Sequence, residues 1–435
     1  MSNLAVLGLQ WGDEGKGKIV DLLADRFDVI VRSQGGHNAG HTVKVGDKTF
    51  VLSLIPSGIL REGKQAVIGN GLVIDPAALL REIETLKGLG VSIEENLLIS
   101  SRAHVIFPYH AMMERVSEAT PGNRKIGTTS RGIGPCYEDK MNRRGIRVAE
   151  WIEPDIVPAR FRALAAEKNA VAKALGIYEP WDVEACLAEY QGFADQLRPL
   201  VCDSISFLNK ALKAGKRLLF EGAQATMLDI DFGTYPYLTS SNATAGGLST
   251  GSGVSPRLID DIVGITKAYA TRVGEGPFAT EVNGDAGDAL RKAGHEFGTV
   301  TGRPRRCGWF DIPILSYAHA VNHLSTLVVT KLDVLDYLEQ IPVCTGYRYR
   351  GETIDEMPAL SEVYAQVEPV YEQRPGWHCS TVGITEFNEL PQAAKDYVTF
   401  LEDRLEVEIG GISTGPERDQ TIVRPDSVLQ KLISG

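Results

Sequence analysis

Short apolar runs, each followed by a glycine-rich or polar segment, recur along this chain. Leu4–Leu9 and Asp28–Arg32 have the length and composition of buried β-strands. Between them, the apolar positions of Ile19–Ala24 follow the spacing of a helix. The pattern therefore predicts a strand, a loop, a helix and a second strand at the start of the chain.

The same pattern continues downstream. Asp75 precedes Pro76, a pair typical of a helix N-cap and first helical position, and predicts a helix to about Leu86. Residues 155–215 are the most helical part of the chain, and a further helix is predicted near Ala393–Arg404. Further strands are predicted at Lys48–Ile55, Val67–Ile74 with a glycine break, Leu97–Ser100, Val105–Phe107, Arg217–Phe220, Ile262–Thr271, Leu324–Val329 and Val407–Ile412.

Strands that alternate with helices predict an α/β fold. We expect a large mixed, mostly parallel central sheet of the P-loop-NTPase-like type, with helical excursions and long active-site loops. No internal repeat, low-complexity tract or linker is visible, so residues 1–435 are interpreted as one domain with a helical excursion at about 100–215. Two stretches rich in Gly, Ser and Thr, Tyr235–Asn242 and Gly246–Ser255, are predicted to form a long loop.

The segment Gly12–Lys18 combines a glycine-rich loop with the predicted strand–helix context. It satisfies the first seven positions of the P-loop pattern, with Gly17 and Lys18 in the Gly-Lys positions. Backbone N–H groups and a helix N-terminus in this arrangement bind phosphate. The eighth position departs, because Ile19 replaces the hydroxyl residue that binds Mg²⁺. The alternative is a tight surface turn with solvated charges.

Asp13 and Glu14 place two carboxylates inside this expected phosphate site. Phosphate groups would repel two ionised carboxylates. At least one of the two is therefore expected to bind a metal ion or to accept a proton. Asp13 is therefore the candidate for the magnesium role that Ile19 leaves open.

A second glycine-rich loop, residues 33–42, follows the second predicted strand and carries His37 and His41. Such histidines are more often incidental, but His41 is a candidate proton donor or phosphate contact. Residues 121–145 form a polar, basic, glycine-rich stretch that suits either a solvated loop or the phosphate of a nucleoside monophosphate. Its candidate phosphate contacts are Thr128, Thr129, Arg131, Arg143 and Arg144.

Further candidate ligand-binding residues lie later in the chain. Glu221 and Gln224 follow a predicted strand, where open α/β sheets present ligand-binding groups. Residues 303, 305 and 306 are arginines, whose bidentate guanidinium groups match carboxylates or phosphates; a solvated loop is the alternative.

Lys331 and Asp333 form a Lys-x-Asp tripeptide at another strand end. The aspartate is suited to accept the N1–H and N2–H₂ donors of guanine, while the lysine stem packs over the base. Adenine lacks these donors and would leave the carboxylate unpaired. The later loop Ser413–Gly415 is a candidate cover for a base.

Composition narrows the class of protein. The 435 residues carry 45 Lys and Arg against 56 Asp and Glu, a net charge of −11 that argues against general nucleic-acid binding. The six scattered cysteines contain no Cys-x-x-Cys pair, and no leader or bilayer-length apolar stretch is visible. We expect a soluble cytoplasmic enzyme with reduced thiols and no membrane or nucleic-acid partner.

Seven motifs together resemble the adenylosuccinate synthetase family of GTP-dependent ligases of purine biosynthesis. They occur in the family's order and span nearly the whole chain: Gln10–Lys18, Gly35–Thr42, Gly127–Pro135, Phe220–Gln224, Thr301–Arg306, Thr330–Asp333 and Ser413–Gly415. The resemblance implies that IMP and L-aspartate are joined through 6-phosphoryl-IMP, with GTP cleaved to GDP and phosphate.

The resemblance also implies roles for individual residues. Asp13 is the expected base for the N1 proton of IMP, His41 the expected acid or hydrogen-bond donor, and Gln224 a further catalytic residue. One Mg²⁺ per subunit is expected on Asp13 and the Gly40 carbonyl. A homodimer is expected, in which Arg143 reaches the IMP phosphate of the neighbouring subunit.

The remaining binding residues follow from the same resemblance. The GTP-binding set is Gly12, Asp13, Glu14, Gly15, Lys16, Gly17, Lys18, Gly40, His41, Thr42, Arg305, Lys331, Leu332, Asp333, Ser413, Thr414 and Gly415. The IMP-binding set is Asp13, Lys16, Asn38, Ala39, Gly40, His41, Thr128, Thr129, Arg143, Gln224, Thr239 and Arg303. The aspartate-binding set is Thr299, Val300, Thr301, Gly302, Arg303 and Arg305.

Two other functions suit part of these motifs. A GTP-binding regulatory switch would use the glycine loop and the Lys-x-Asp tripeptide, but it would not require the arginine-rich loop or the histidine loop. A nucleotide kinase would instead accumulate a stable phosphorylated nucleotide.

Overall fold

The computed structural model describes residues 2–38, 40–45, 48–119, 127–298, 302 and 304–434; of residues 41–45, 48 and 49 it describes the backbone only. In chain order the described strands are β1 Leu4–Gly8, β2 Val29–Arg32, β3 His41–Val45, β4 Lys48–Leu52, β5 Gln65–Ile68, β6 Val73–Ile74, β7 Leu97–Ser100, β8 His104–Val105, β9 Val201–Cys202, β10 Leu218–Glu221, β11 Asp261–Lys267, β12 Ala270–Arg272, β13 Arg306–Gly308, β14 Phe310–Asp311, β15 Thr326–Thr330, β16 Gln340–Tyr349, β17 Glu352–Ile354, β18 Glu368–Pro375, β19 Ile409–Ser413 and β20 Thr421–Val423.

The described α-helices surround these strands. They are α1 Lys16–Ala24, α2 Pro76–Gly88, α3 Pro108–Ala119, α4 Ile133–Met141, α5 Val148–Trp151, α6 Val157–Ala174, α7 Val183–Leu197, α8 Ser204–Lys213, α9 Ala245–Ser252, α10 Gly284–Ala293, α11 Ile312–Asn322, α12 Ser361–Tyr364, α13 Gln392–Leu405 and α14 Val428–Ser434. No helix in this described part is both long and apolar enough to cross a membrane.

A ten-stranded sheet forms the centre of the fold, with the strand order β20-β19-β15-β11-β1-β10-β2-β5-β7-β9. Among the described pairs of this sheet, only β19 and β20 run antiparallel. The expected large, mostly parallel sheet is confirmed.

Strand β1 lies between β10 and β11, and its side chains alternate between two buried layers. Leu4 and Val6 pack in one layer with residues of α1 and α14, whereas Ala5 and Leu7 pack in the other with residues of α8 and α9. Because both faces are covered, the strand is apolar throughout. Because the strands are parallel, their carboxyl ends all lie at the same end of the sheet, and the loops that follow them converge there.

The predicted helix after Asp75 is confirmed as α2. The Asp75 side chain accepts a hydrogen bond from the Ala78 backbone N–H at 2.9 Å, the geometry of an N-cap. The helical region 155–215 is confirmed as α6, α7 and α8, but it is interrupted by the short strand β9, which joins the edge of the central sheet. Two residues of strand are too short to show a period, so the pattern did not reveal β9.

Three predictions of local structure were wrong in part. The stretch 235–255 is not all loop, because residues 245–252 form α9 and pack Leu248 against the sheet. The predicted strand Val67–Ile74 is two strands, β5 and β6. The predicted strand Ile262–Thr271 is also two strands, β11 and β12, and β12 leaves the central sheet to pair with β13.

Candidate active site

A cavity of about 1310 Å³ lies at the carboxyl ends of the parallel strands. The loops that follow β1, β2, β10, β15 and β19 all contribute to its wall. This is the position at which open α/β sheets bind ligands. Seventeen of the predicted site residues line it: Gly12, Asp13, Gly15, Lys16, Gly17, Lys18, Asn38, Gly40, Thr128, Thr129, Gln224, Thr239, Arg305, Lys331, Asp333, Ser413 and Gly415.

The loop after β1 has the curled backbone of an anion-binding turn. Gly12, Asp13 and Gly15 have φ values of 87°, 59° and 86°, and Gly15 is the N-cap of α1. Left-handed φ values suit glycine, which explains the glycines on either side of Asp13 and Glu14. Gly15, Lys16 and Gly17, at the N-terminus of α1, all line the cavity, which is the position from which a helix N-terminus binds an anion.

Glu14 and Asp13 have opposite environments. The Glu14 side chain is fully buried, where it accepts hydrogen bonds from the backbone N–H groups of Gln10 and Gly12 and from the Lys16 ammonium at 2.6 Å. The protein itself therefore balances this charge. Because the Glu14 side chain already has these partners, only its backbone is available to bind a nucleotide.

The Asp13 side chain is 39% exposed, and its Oδ2 lies 2.7 Å from Nε of Arg305. Arg305 is 7% exposed and its Nη1 also donates to Glu296 at 2.6 Å. Asp13 is thus the carboxylate of the loop that faces the cavity. Its described partner comes from the arginine-rich segment predicted to bind an anion.

The loop after β2 and the loop after β10 meet through side-chain amides. Gln224, which has a φ of 55°, donates from Nε2 to Oδ1 of Asn38 at 3.0 Å. Gln34 in turn donates to Oε1 of Gln224 at 3.1 Å and to the Ala223 carbonyl at 2.6 Å. The two predicted residues therefore form one amide surface. Gln34, which was not singled out, holds it in place.

Glu221 does not reach this surface. Its side chain is fully buried at the end of β10, where Oε2 accepts hydrogen bonds from the Ser57 backbone N–H and hydroxyl at 2.7 and 2.8 Å. The prediction placed it with Gln224 because both follow the same apolar run. Glu221 is the last residue of β10, whereas Gln224 lies beyond the strand with a φ of 55°, so the chain turns between them and the two side chains have different surroundings.

The loops after β15 and β19 enclose the other end of the cavity. Lys331 has a φ of 59°, and its ammonium donates to the Gly294 carbonyl at 2.6 Å and to Glu296 at 2.9 Å. Oδ1 of Asp333 is buried without a hydrogen-bond partner among the described residues. Burial raises the pKa of the Asp333 carboxyl. An unpaired acceptor buried in a cavity wall is an expected contact for a ligand that donates hydrogen bonds.

Lys18 joins the first loop to the last. Its ammonium donates to the Ser413 hydroxyl at 2.7 Å and to the carbonyls of Gly415 and Gln420 at 2.8 and 2.9 Å. Burial lowers the pKa of Lys18 to about 8, against the opposing effect of nearby carboxylates that include Asp333. The helix that begins at the phosphate loop is thereby tied to the loop predicted to cover a base.

The other predicted site residues are placed as follows. Leu332 and Thr414 are fully buried, and the exposed Arg143 lies in the turn after α4, outside the wall of this cavity. Gly302 is described, with a φ of 63°, but does not line the cavity. For His41 and Thr42 only the backbone, at the start of β3, is described. Ala39, Thr299, Val300, Thr301 and Arg303 lie outside the described residues.

Three charged residues at or behind the wall were missed in the sequence. Arg418 lines the cavity and pairs with Asp25 at 2.8 Å, while Glu296 and Lys267 are fully buried and do not line it. Lys267 and Glu296 are lone charges in the sequence and Arg418 lies in a short charged run, and neither pattern distinguishes them from surface residues.

Comparisons with known proteins agree with this geometry. The family model described as adenylosuccinate synthetase matches residues 5–422. The adenylosuccinate synthetase of Solibacter usitatus (strain Ellin6076) is 59% identical over 433 residues, which is 100% of both chains. That of Koribacter versatilis (strain Ellin345) is 52% identical over 417 residues, 96% of this chain and 94% of the relative.

Two solved structures are also similar. The fully ligated adenylosuccinate synthetase from Plasmodium falciparum has a TM-score of 0.92 and 42% identity, covering 98% of this chain and 100% of that one. The succinoaminodeoxyadenylate synthetase of cyanophage S-2L, bound to dGMP and to dATP as an energy donor, has a TM-score of 0.63 and 20% identity. It covers 100% of this chain and 99% of the other, and at this identity it bears on the fold alone.

Proposed function

This chain belongs to the adenylosuccinate synthetase family, and we propose that it joins IMP to L-aspartate in purine biosynthesis, with cleavage of GTP to GDP and phosphate. One observation carries the proposal. A single cavity collects the phosphate loop with Asp13, the Asn38–Gln224 amide pair and the unpaired acceptor of Asp333. These groups suit a triphosphate, a hypoxanthine and a guanine, respectively.

The chemistry begins at the 6-oxo group of IMP, which is amide-like and a poor electrophile. Asp13 accepts the N1 proton, the electron pair moves to the 6-oxygen, and this oxygen attacks the γ-phosphorus of GTP while GDP leaves. The neutral amine of aspartate then forms a bond to C6, the C6–O bond breaks with release of phosphate, and the proton that the amine loses passes to the departing phosphate or to solvent. Asp13 suits the base role because its side chain faces the cavity whereas Glu14 is buried.

Three other groups assist these steps. Gln224 and Asn38 hold the base of IMP through their amides. His41 is proposed as the acid or hydrogen-bond donor that supports charge on the departing phosphate. Arg305, beside Asp13, supplies positive charge for the γ-phosphate and the aspartate carboxylates.

The groups that would hold one Mg²⁺ per subunit are the Asp13 carboxylate and the Gly40 carbonyl. Both residues line the cavity, and both offer the hard oxygen donors that Mg²⁺ prefers. In the described residues no three His, Cys, Asp or Glu side chains form a metal cluster, which suits an ion held mainly by phosphate and water. A bound Mg²⁺ would neutralise charge on the phosphates during transfer.

The guanine end is assigned to Lys331, Asp333 and the Ser413–Gly415 loop. Asp333 offers a buried carboxylate without a described partner for Oδ1, and guanine presents two donors to such a group. The aspartate end is assigned to residues 299–303 together with Arg305. Residue 331 adopts a left-handed φ at the end of β15, which turns the chain so that Lys331 and Asp333 both line the cavity.

We also propose that the chain works as a cytoplasmic homodimer. Arg143 is exposed in the turn after α4, outside the cavity wall, so it is free to reach the IMP phosphate of a second copy. Residues 1–435 are proposed to act as one domain.

The test is phosphate release from GTP, with IMP and L-aspartate added singly and together. We expect rapid release, and adenylosuccinate, only when all three substrates are present. Release that ignores IMP and aspartate would point to a GTP switch, and a stable phosphorylated nucleotide would point to a kinase. Asp13→Asn should abolish turnover but keep GDP binding, because asparagine also tolerates the φ of 59° at this position.

A further inference from the structure

Glu296, three residues after the end of α10, is a fully buried carboxylate with four partners. Its Oε1 accepts hydrogen bonds from the ammonium groups of Lys267 and Lys331, each at 2.9 Å, and from the Tyr269 hydroxyl. Its Oε2 accepts from Nη1 of Arg305 at 2.6 Å. We call Lys267, Tyr269, Glu296, Arg305 and Lys331 the Glu296 cluster.

The charges of this cluster do not balance. Within the cluster three cations face one buried carboxylate. Outside the cluster, Asp13 forms an ion pair with Arg305, and Asp333 lies close enough to Lys331 for their charges to interact. Burying several charges costs more than packing apolar side chains of the same size, so stability alone is a weak reason for such a cluster. Arg305 and Lys331 both line the cavity wall, so these two cations connect the buried carboxylate to the cavity.

Glu296 also closes the base of the segment between itself and Arg305. Its backbone carbonyl accepts from the Arg305 backbone N–H at 2.9 Å, and Phe297 and Pro304 form an antiparallel bridge one residue further in. The side chain and the backbone carbonyl of Glu296 therefore both accept hydrogen bonds from Arg305. That arginine lies at the end of the cavity proposed to receive aspartate.

Lys331 depends on the same carboxylate from the opposite side. Its ammonium has two described acceptors, Glu296 and the Gly294 carbonyl, and both precede the arginine-rich segment in the chain. The Lys331 side chain is one-third exposed. Its methylene groups are therefore available to pack on a base, while its ammonium is held by Glu296 and the Gly294 carbonyl. Glu296 is thus a common anchor for the lysine at the guanine end and the arginine at the aspartate end.

We propose that Glu296 is a positioning residue that couples the two ends of the cavity, so that a guanine nucleotide on Lys331 strengthens the binding of a dicarboxylate at Arg305. The inference rests on the proposed function for the identity of the two ligands. Either ligand, by immobilising its own side chain, orders the shared carboxylate that the other ligand requires. Coupling of this kind is reciprocal and reaches on the order of tenfold in affinity.

The test measures the dissociation constant of succinate, a dicarboxylate without a reactive amine, with and without GDP at saturating IMP. In the unmodified chain GDP should tighten succinate binding on the order of tenfold. Glu296→Gln should reduce this factor to near one and raise the KM for aspartate more than it lowers kcat. A mere loss of stability would not split KM from kcat in this way.

Glu296→Gln leaves Lys267 fully buried without its counter-ion, so this variant is open to failure in folding. Two further variants keep the test decisive. Glu296→Gln combined with Lys267→Met removes both buried charges. Lys331→Met keeps the stem over the base, and its one-third exposed side chain tolerates the change. Both should lose the coupling, measured at a GDP concentration that saturates each variant, because Lys331 itself belongs to the proposed guanine site and its replacement weakens GDP.

Glu402→Gln is the matched control. Glu402 on α13 accepts from Arg424 at 2.8 Å and from the Ile409 backbone N–H at 2.9 Å, and it does not line the cavity. This variant should couple GDP and succinate as the unmodified chain does. Unmodified protein without coupling, or full coupling in the folded Lys331→Met and double variants, would overturn the role of Glu296. Failure of the unmodified chain to bind GDP and IMP at all would instead overturn the proposed function.

Discussion

The surroundings of Asp333 indicate which kind of ligand would bind to it. Its carboxyl is half-buried at the end of β15, and Oδ1 has no hydrogen-bond partner in the described part of the chain. Burial raises the pKa of this carboxyl, so a ligand with hydrogen-bond donors would stabilise the ionised form. Guanine has a pair of such donors, N1–H and N2–H₂, whereas adenine has an acceptor at N1 and no amino group at C2.

Asp333→Asn should therefore weaken GTP and favour xanthosine triphosphate, which carries a carbonyl where guanine carries its amino group. The loss of one hydrogen bond to a charged acceptor is worth about 1.5–3 kcal/mol, roughly a 10- to 150-fold rise in KM for GTP. Steady-state kinetics with both triphosphates measure the effect. Glu339→Gln, on an exposed neighbour, is the control, and an unchanged GTP preference in Asp333→Asn would contradict guanine recognition there.

The lowered pKa of Lys18 predicts that the use of GTP depends on pH. Its pKa of about 8 means that the ammonium is charged below that pH and loses a proton as the pH rises through it. A neutral amine has two donors for three acceptors, so the tether to the Ser413–Gly415 loop and the charge near phosphate both weaken. We expect kcat/KM for GTP to fall above about pH 8.

Bound triphosphate would hold this proton, so the fall in kcat should occur at higher pH than the fall in kcat/KM. Lys18→Arg keeps the charge throughout the range and should move the alkaline fall in kcat/KM upward. Superimposable pH profiles for the arginine variant and the unmodified chain would exclude Lys18 as the titrating group.

Helix α4 is the element that connects the proposed IMP phosphate contacts to the rest of the fold. Its N-cap, Gly132, has a φ of 75°, and a Cβ there would lie 2.7 Å from the backbone nitrogen of Ala111 on α3. The Gly132 backbone N–H also donates to the buried Glu114 at 2.5 Å. Close packing of α3 and α4 therefore sets the position of Thr128 and Thr129 just before the helix.

Gly132→Ala should combine left-handed strain of about 1–2 kcal/mol with a backbone clash of about 1–3 kcal/mol. We expect a lower unfolding midpoint and a KM for IMP raised on the order of tenfold, because a small misplacement of binding groups is costly. Gly176→Ala is the control, since Gly176 has a φ of 72° with no atom within 4 Å of a Cβ. If both variants lose the same stability and bind IMP normally, the packing of α3 on α4 does not position the site.

At the scale of the whole molecule, the chain carries a net charge of −11, and the cavity wall contains side chains of both signs. Its basic residues are Lys16, Lys18, Arg305, Lys331 and Arg418, and its acidic residues are Asp13, Asp21, Glu114, Glu118, Glu138, Glu275 and Asp333. Individual cationic contacts in an acidic protein favour small anionic substrates over extended polyanions. Arg143 lies outside the wall of its own cavity, so the proposed homodimer would supply this arginine to the site from a second copy.

A dimer with a shared site predicts an effect of dilution. The KM for IMP should rise when the protein is diluted below the dissociation constant of the dimer, because the partner's arginine is lost. Arg143→Ala should show the raised KM at every concentration. Sedimentation measures the oligomer in parallel, and a KM for IMP that stays constant through dissociation would contradict a shared site.

The amino-acid sequence by itself determined the kind of chemistry and its order along the chain. Buried strands and the loops that follow them are local features, so the phosphate loop, the histidine loop and the Lys-x-Asp tripeptide were recognisable without their neighbours. It was also sufficient to predict a mostly parallel sheet, which is confirmed.

Only the tertiary structure decided which charges face the cavity. Glu14 and Asp13 are adjacent in sequence, but one is buried against Lys16 and the other lines the cavity. Glu221 is buried against Ser57, and the Glu296 cluster joins lysines at positions 267 and 331. These pairings depend on strand order, which places β15 beside β11 and β11 beside β1, and no local pattern encodes that order.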